Sequence, residues 1–263
     1  MVSIEEIDET NRSPFLESLK SDIIKHVFAV YDLQKDAQHT TVYAASEKGE
    51  FEGYILIYSA ADVPSVILEC EHNVADRLLE HAPHNKFIVH AQPSLLPAIK
   101  KRFPNSNHYV EDWMLVRKNE ARFYDSELVK PLLDKEDASK LAALLLSRKD
   151  RPANTLTTYA EWIKRMPMYG VFKEGRLVAY AGSFIQLPEV WLIGGVYTDP
   201  AHRNKGYATL ATSGITKEAL TKAEAAALFA RADNLPAIRA YEKIGYRKIG
   251  EKVWVDVGTG LRP

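Results

Sequence analysis

The chain of 263 residues has one cysteine, Cys70, so an intramolecular disulfide is excluded, and nothing in it has the Cys/His spacing of a structural zinc site. No apolar run reaches the roughly 18 residues of a membrane span, and the acidic start MVSIEEIDET lacks the basic and apolar blocks of a secretion signal. An excess of one charge is also missing: 34 Lys+Arg stand against 35 Asp+Glu, for a formal net charge of -1, so no global field draws the chain to nucleic acid or an anionic membrane. These absences predict a cytoplasmic protein with no nucleic-acid or membrane partner and no metal; oligomeric state stays open. What is present is ordinary for a folded domain, 46% hydrophobic and 26% charged, enough for a proper core.

The chain contains a repeat. YAASEKGEFEGYILIYS, from Tyr43, aligns without gaps on YGVFKEGRLVAYAGSFI, from Tyr169, pairing Gly49 with Gly175 and Tyr54 with Tyr180 at an offset of 169 − 43 = 126. Both copies read as strand, glycine turn, strand. Leu96-Pro97-Ala98-Ile99 matches Leu235-Pro236-Ala237-Ile238 at 235 − 96 = 139, so the second half carries 139 − 126 = 13 extra residues between hairpin and helix. Each half is expected to run helix, hairpin or meander, helix, strand, helix, strand, a mixed α/β (α+β) pattern. One boundary is expected in the charged stretch Arg117 to Asp125, giving domains 1–122 and 123–263, packed together because no Pro-rich, Gly-rich or low-complexity linker separates them.

Local signals place elements. Ser13-Pro14 predicts a helix start, followed by Leu19, Ile23, Val27 and Tyr31 on one face. Asp134 and Asp137 stand at capping-box spacing before LAALLL, and a second helix is predicted near Tyr159 to Arg165, stopped by Pro167.

The segment from Glu189 holds the chemistry. Trp191 to Thr198 is an apolar run with Gly194-Gly195 inside it, which suits a buried strand that bulges or is approached closely. Asp199-Pro200 ends it. From Gly206 a helix runs with Ala208, Ala211, Ile215 and Ala219 on one face, and Arg203-Asn204-Lys205-Gly206-Tyr207-Ala208 forms a basic loop at its start. Free N–H groups, the positive helix end and small residues there suit a phosphate. The loop is neither GxxxxGK[ST] nor GxGxxG, which leaves nucleotide hydrolysis and dinucleotide binding unsupported. Cys70 has no evident partner base, His202 borders the loop, and Lys100-Lys101-Arg102 reads as a solvated helix end.

VYTDPAHRNKGYA, followed by ADNLPAIRAYEKIGY from Ala232, resembles the GNAT superfamily of acyl-CoA-dependent N-acetyltransferases over roughly Leu132 to Val257. The first motif matches that family's R/Q-x-x-G-x-G/A loop and the second its N-x-x-A…Y-x-x-x-G-[FY] segment. IGGVYT and the tandem layout also resemble the branch that contains glycine N-acyltransferases. The resemblance implies two GNAT-like mixed-sheet halves, the first a degenerate copy without the coenzyme A loop that packs and shapes the acceptor site. It implies acetyl-CoA as co-substrate, with pantetheine on Val196, Tyr197 and Thr198, pyrophosphate on Arg203, Asn204, Lys205, Gly206, Tyr207, Ala208 and Thr209, and Asn234 and Tyr241 near the pantetheine and sulfur. Asn204 stands where relatives often have glycine, which asparagine's tolerance of left-handed backbone accommodates. The implied activity is acetyl transfer to a primary amine, small molecule or peptide, with Tyr241 catalytic and Glu189 as a candidate base. Blander roles stand beside these: Asn234 as an N-cap, Tyr241 as a packed ring, Glu189 as an exposed strand end. Two other functions remain open, amino-acid N-acylation with a longer acyl-CoA and acyl-CoA binding without catalysis.

Overall fold

The computed structural model describes residues 2–148 and 154–260. The chain begins with β1 (Val2–Glu6), α1 (Arg12–Leu19), α2 (Val27–Lys35), β2 (Thr40–Glu47), β3 (Glu50–Tyr58), β4 (Ser65–Cys70), α3 (His72–Leu78), β5 (Phe87–Ala91), α4 (Leu96–Arg102) and β6 (Asn107–Arg117). The same order of strands and helices then recurs as β7 (Val129–Pro131), α5 (Lys135–Leu145), α6 (Leu156–Arg165), β8 (Met168–Lys173), β9 (Arg176–Gln186), β10 (Val190–Thr198), α7 (Tyr207–Lys222), β11 (Ala225–Arg231), α8 (Leu235–Ile244) and β12 (Arg247–Val257). The repeat is therefore architectural, with a leading strand and, in the first copy, a second helix beyond the expected order.

Local chemistry accounts for the matched elements. Lys48-Gly49 and Glu174-Gly175 all have positive φ, between 51° and 87°, the backbone of a two-residue turn whose twist suits a hairpin. Asp134 caps α5 by accepting from the Asp137 N–H at 2.9 Å, while the Asp137 carboxylate reaches back to the Leu133 N–H at 2.8 Å. Helix α6 ends just before Pro167, as expected. The single helix expected from Ser13 is instead two. It starts at Arg12, tightens into a 3-10 turn at Lys20–Asp22, and resumes at Val27. The Asp22 carboxylate accepts from the Lys25 N–H at 3.0 Å, offering the backbone a turn that competes with a continuous helix.

Two compact units divide the chain: Met1–Asp112 with Gly250–Pro263, and Trp113–Ile249. This differs from the expected single cut at 122/123, because the end of the chain returns to the first unit. There Val253 to Val257 of β12 pair antiparallel with Ala91 to Phe87 of β5, and Val253 and Val255, both fully buried, share a core with Phe87 and Val89. The first unit's strands run β1-β2-β3-β4-β5-β12, with only β4 and β5 parallel. In the second unit β10 pairs parallel with β11 on one side and antiparallel with β9 on the other, and β9, β8 and β7 continue antiparallel. One of its faces packs on α7 and α8 through Trp191, Ile193, Ile215 and Tyr241, the other on α5 and α6 through Met168, Leu177 and Tyr180. Among the described residues no helix is long and apolar enough to cross a membrane.

Candidate active site

Asp199 to Gly206 link β10 to α7. Asp199 accepts from the Ala201 N–H at 2.8 Å and starts the turn. Asn204 has φ of 62° and Gly206 φ of 79°, so the asparagine occupies a left-handed position as its chemistry allows, and the glycine is the helix N-cap. The helical ladder begins with the Leu210 N–H on the Gly206 carbonyl at 3.1 Å, which puts the N–H groups of Tyr207, Ala208 and Thr209 ahead of it. A Cβ at Gly206 would meet nothing within 4 Å, so open space lies over this backbone. Arg203 and Lys205 are exposed beside it. Thr198 Oγ1, at the end of the strand, is buried with no hydrogen-bond partner among the described residues. An anion-bearing ligand meets here N–H donors, a spare hydroxyl, two cations and room, so the residues fit a coenzyme A pyrophosphate.

The strand leading into the loop is irregular where the glycines predict it. Gly194 pairs with Gly182 and Tyr197 with Tyr180, leaving Gly195 and Val196 bulged without register partners on β9. Gly195 has φ of 67°. A Cβ at Gly194 would lie 2.5 Å from the Phe184 ring, so the side chain of β9 requires glycine there. On the other side the ladder with β11 ends at Ile193↔Leu228, and the rest of β10 diverges from its parallel neighbour. Tyr197 holds this end in place: its hydroxyl bonds Ser147 Oγ at 2.9 Å, and the Arg148 and Arg203 guanidiniums lie 5.6 and 6.0 Å from its ring centroid.

Asn234 caps α8, its Oδ1 accepting from the Ala237 N–H at 3.3 Å, so the bland role predicted for it is filled. Tyr241 lies two turns on, 6% exposed in the core that also receives Val196, its ring edge-on to Tyr246 at 6.2 Å. Burial pushes its phenol up to about 12, so it keeps its proton at neutral pH. Glu189 does not join the site. It sits in the β9–β10 turn, where its carbonyl accepts from the Ala225 N–H, and five residues of strand separate it from Gly195, about 20 Å over six steps of extended chain. The proposed base is thus at the wrong end of its strand.

A cavity of about 390 Å³ opens on the α5–α6 face of the second unit against Gly194 and Gly195. Sequence reasoning missed its walls. Tyr159 and Trp162 come from α6, Met168 from β8, Phe184 from β9 and Arg148 from just beyond α5. The available signals were the helix predicted at Tyr159 and the strand alternation Tyr180, Gly182, Phe184, which puts those residues on one face.

The first unit lacks these features. Glu71 alone separates β4 from α3, where eight residues, 199–206, separate β10 from α7. Tyr54, the counterpart of the cavity-lining Tyr180, is fully buried, bonded to His26 at 3.0 Å and edge-on to Phe15 at 5.6 Å. Glu69, one residue past the last β4–β5 register pair, forms a buried ion pair with Lys252. Cys70 is held inert by burial, which pushes its thiol up to about 12.

These elements define a class by likeness of fold. A Drosophila protein solved by X-ray crystallography matches with a TM-score of 0.73 at 14% identity, over 97% of this chain and 98% of its own. A GCN5-related N-acetyltransferase from Sphaerobacter thermophilus matches at 0.65 and 12% identity, over 100% and 98%. A tandem GNAT protein from the clavulanic acid biosynthesis pathway matches at 0.59 and 12% identity, over 99% and 100%. The chain has the GNAT acetyltransferase fold, in tandem. More particularly, residues 168–255 match the family model described as FR47-like protein, a stretch that runs from β8 through the loop and α8 into β12. No curated protein sequence matches the chain.

Proposed function

We propose that the second unit transfers an acetyl group from acetyl-CoA to a primary amine by direct attack, and that the first unit binds no coenzyme A. The observation that carries this reading is a coincidence of position: β10 leaves its parallel neighbour after Ile193 and leads, through the eight-residue loop 199–206, to a helix start suited to an anion. Tyr207, Ala208 and Thr209 N–H groups, with Arg203, Asn204, Lys205 and Gly206 around them, hold the pyrophosphate, and Val196 to Thr198 offer backbone to the pantetheine arm. Acetyl-CoA supplies the activated thioester. The amine nitrogen forms its bond to the carbonyl carbon after losing a proton, and the carbon–sulfur bond breaks. Val196, free of the β9 register, donates its N–H to the oxygen that gains charge, an interaction that strengthens toward the transition state. Tyr241 delivers its proton to the departing sulfur, and the second proton that the nitrogen sheds as the amide forms returns through solvent to restore the phenol.

Release of free thiol from acetyl-CoA with a panel of amines, alongside calorimetric titration, tests the reading. One coenzyme A per chain and amine-dependent thiol release are expected. Two equivalent sites would overturn the role assigned to the first unit, and tight binding without thiol release from any amine would reduce the protein to an acyl-CoA binder.

A further inference from the structure

The bulge in β10 is held by side chains rather than by a ladder. Among the described residues, Gly195 and Val196 have a register partner on neither β9 nor β11, so strand pairing does not fix the stretch that carries the Val196 N–H. Val196 packs into the core under α7 and α8, while the next side chain, Tyr197, turns to the opposite face and packs against the core that includes Leu144 and Leu145 of α5. The Tyr197 hydroxyl lies 2.9 Å from Ser147 Oγ, and Ser147 Oγ donates to the Leu144 carbonyl at 2.7 Å. A serine hydroxyl has one proton to give. With that proton committed to Leu144, Tyr197 is the donor, and the chain runs one way, from Tyr197 through Ser147 to the last turn of α5. The same tyrosine ring meets the cofactor loop: the Arg203 guanidinium lies 6.0 Å from its centroid, and Arg203 Nε donates to the Thr198 carbonyl at 3.4 Å.

Resting on the transferase reading above, we propose that Tyr197 and Ser147 are positioning residues for the reaction: their hydroxyl chain pins the Val196 N–H to the frame of α5, at the place where the thioester oxygen gains charge. A donor lowers the barrier only if it is already aimed at that oxygen, because turning it during the reaction would cost the energy it is meant to supply. Backbone without a ladder on either side needs such an anchor, and a misplacement of about 1 Å can cost about a hundredfold in rate. A hydrogen-bonded chain sets length and angle, which a ring packed in a core does not, and each bond in it polarises the next. The chain ends on the turn of α5 whose Leu145 lines the cavity beside the bulge, and the ring touches Arg203, so oxyanion donor, cavity wall and pyrophosphate loop are registered against one side chain. The pyrophosphate itself is held at the start of α7, which the hydroxyl chain does not reach. Loss of the hydroxyl therefore separates rate from cofactor affinity.

The experiment compares wild type with Tyr197→Phe, Ser147→Ala and the double variant. Infrared spectra of bound acetyl-CoA, carbon-13 labelled at the thioester carbonyl and taken without any amine, read the donor directly, and calorimetry gives acetyl-CoA affinity. Thiol release, with whichever amine wild type uses best, gives kcat. In wild type the carbonyl band is expected below its position in free acetyl-CoA, and each single variant should lose most of that displacement. In each, kcat should fall by about tenfold or more while acetyl-CoA affinity stays within about twofold. The double variant should be no worse than either single one, because both remove the same link. A merely structural role would lower thermal stability and leave the band of the bound cofactor where it is. An unshifted band in wild type, a band that the two single variants leave in place, or losses that add in the double variant would each overturn the inference, and Ser147→Ala carries the test alone if Tyr197→Phe does not fold. If wild type binds no acetyl-CoA, the transferase reading fails first. If it binds with a shifted band yet no amine draws out thiol, the transferase reading fails while the band still tests the anchor.

Discussion

Tyr241 and Asp32 show how the surroundings of one side chain set its chemistry. The Tyr241 ring packs against Tyr246, and burial holds its hydroxyl protonated up to about 12. Tyr241→Phe keeps that packing and removes only the donor, so kcat should fall at least tenfold, within the range general acids supply, while acetyl-CoA affinity by calorimetry stays unchanged. An unchanged kcat, with chemistry rate-limiting, would assign the tyrosine to packing alone. Asp32, on α2, is pushed up to about 7 by burial, with the Asp36 carboxylate adding to the shift. A raised carboxyl stabilises the fold below its ordinary pKa, near 4, and that contribution is lost as pH rises through about 7. His26 and His90, both pushed down to about 4 by burial, act in the opposite sense, losing stability on acidification. Asp32→Asn isolates the first effect. Relative to wild type the variant should gain stability between pH 5 and pH 8, by roughly 2 kcal/mol, read from thermal melts at both values. A difference that does not change with pH would show Asp32 ionised in the fold.

At the scale of elements, the loop between β10 and α7 and the hairpin turn between β8 and β9 make a controlled pair. Gly206 and Gly175 have nearly the same backbone, φ of 79° and 78°, and a Cβ at either meets nothing within 4 Å. Valine at either position carries a similar left-handed strain, about 1–2 kcal/mol. Only Gly206→Val puts bulk over the helix N–H groups. Coenzyme A affinity should therefore fall at least tenfold in Gly206→Val and stay unchanged in Gly175→Val, with similar losses in thermal stability. Equal affinity in the two variants would remove the loop from the cofactor site. Helix α7 also shows that a stripe read from sequence underestimates burial: Thr212, Ser213 and Thr216 are buried beside Ala211, Ile215 and Ala219, and Thr216 bonds the Tyr246 hydroxyl at 2.8 Å.

For the molecule as a whole, the first unit is completed by the last strand. Deleting residues 250–263 removes fully buried Val253 and Val255, each contributing about 1.5–3 kcal/mol, and leaves Glu69 buried without Lys252, a loss of roughly 3–5 kcal/mol. Together these approach the 5–15 kcal/mol total of a typical domain. The truncated chain should lose amide-exchange protection in β2 to β5, whereas retained protection there would show that β12 is dispensable. For the same reason residues 1–122 expressed alone should not fold stably.

Much of this was legible because it is local. A Lys-Gly or Glu-Gly pair between alternating strands makes its own turn, Asp134 caps from three residues away, and asparagine and glycine tolerate the left-handed backbone that the loop needs at Asn204 and Gly206. Those interactions close within a few residues, so the sequence alone determined both hairpins, α5, α6, the glycine bulge and the helix start that suits an anion. Interactions between distant segments left no such mark. The charge run after β6 resembles a boundary, yet the return of β12 is decided by pairing with β5, more than 150 residues earlier by the register Val253↔Ala91. Glu189 borders the right strand, but extended chain carries it some 20 Å from the bulge. Arg148, Trp162 and Phe184 come from separate elements and share a cavity only because α5 and α6 cover one face of β8 and β9. Backbone chemistry was thus written in the order of residues, while the cavity and the end of the first unit's sheet were decided by tertiary packing, which depends on which surfaces meet rather than on which residues are neighbours in the chain.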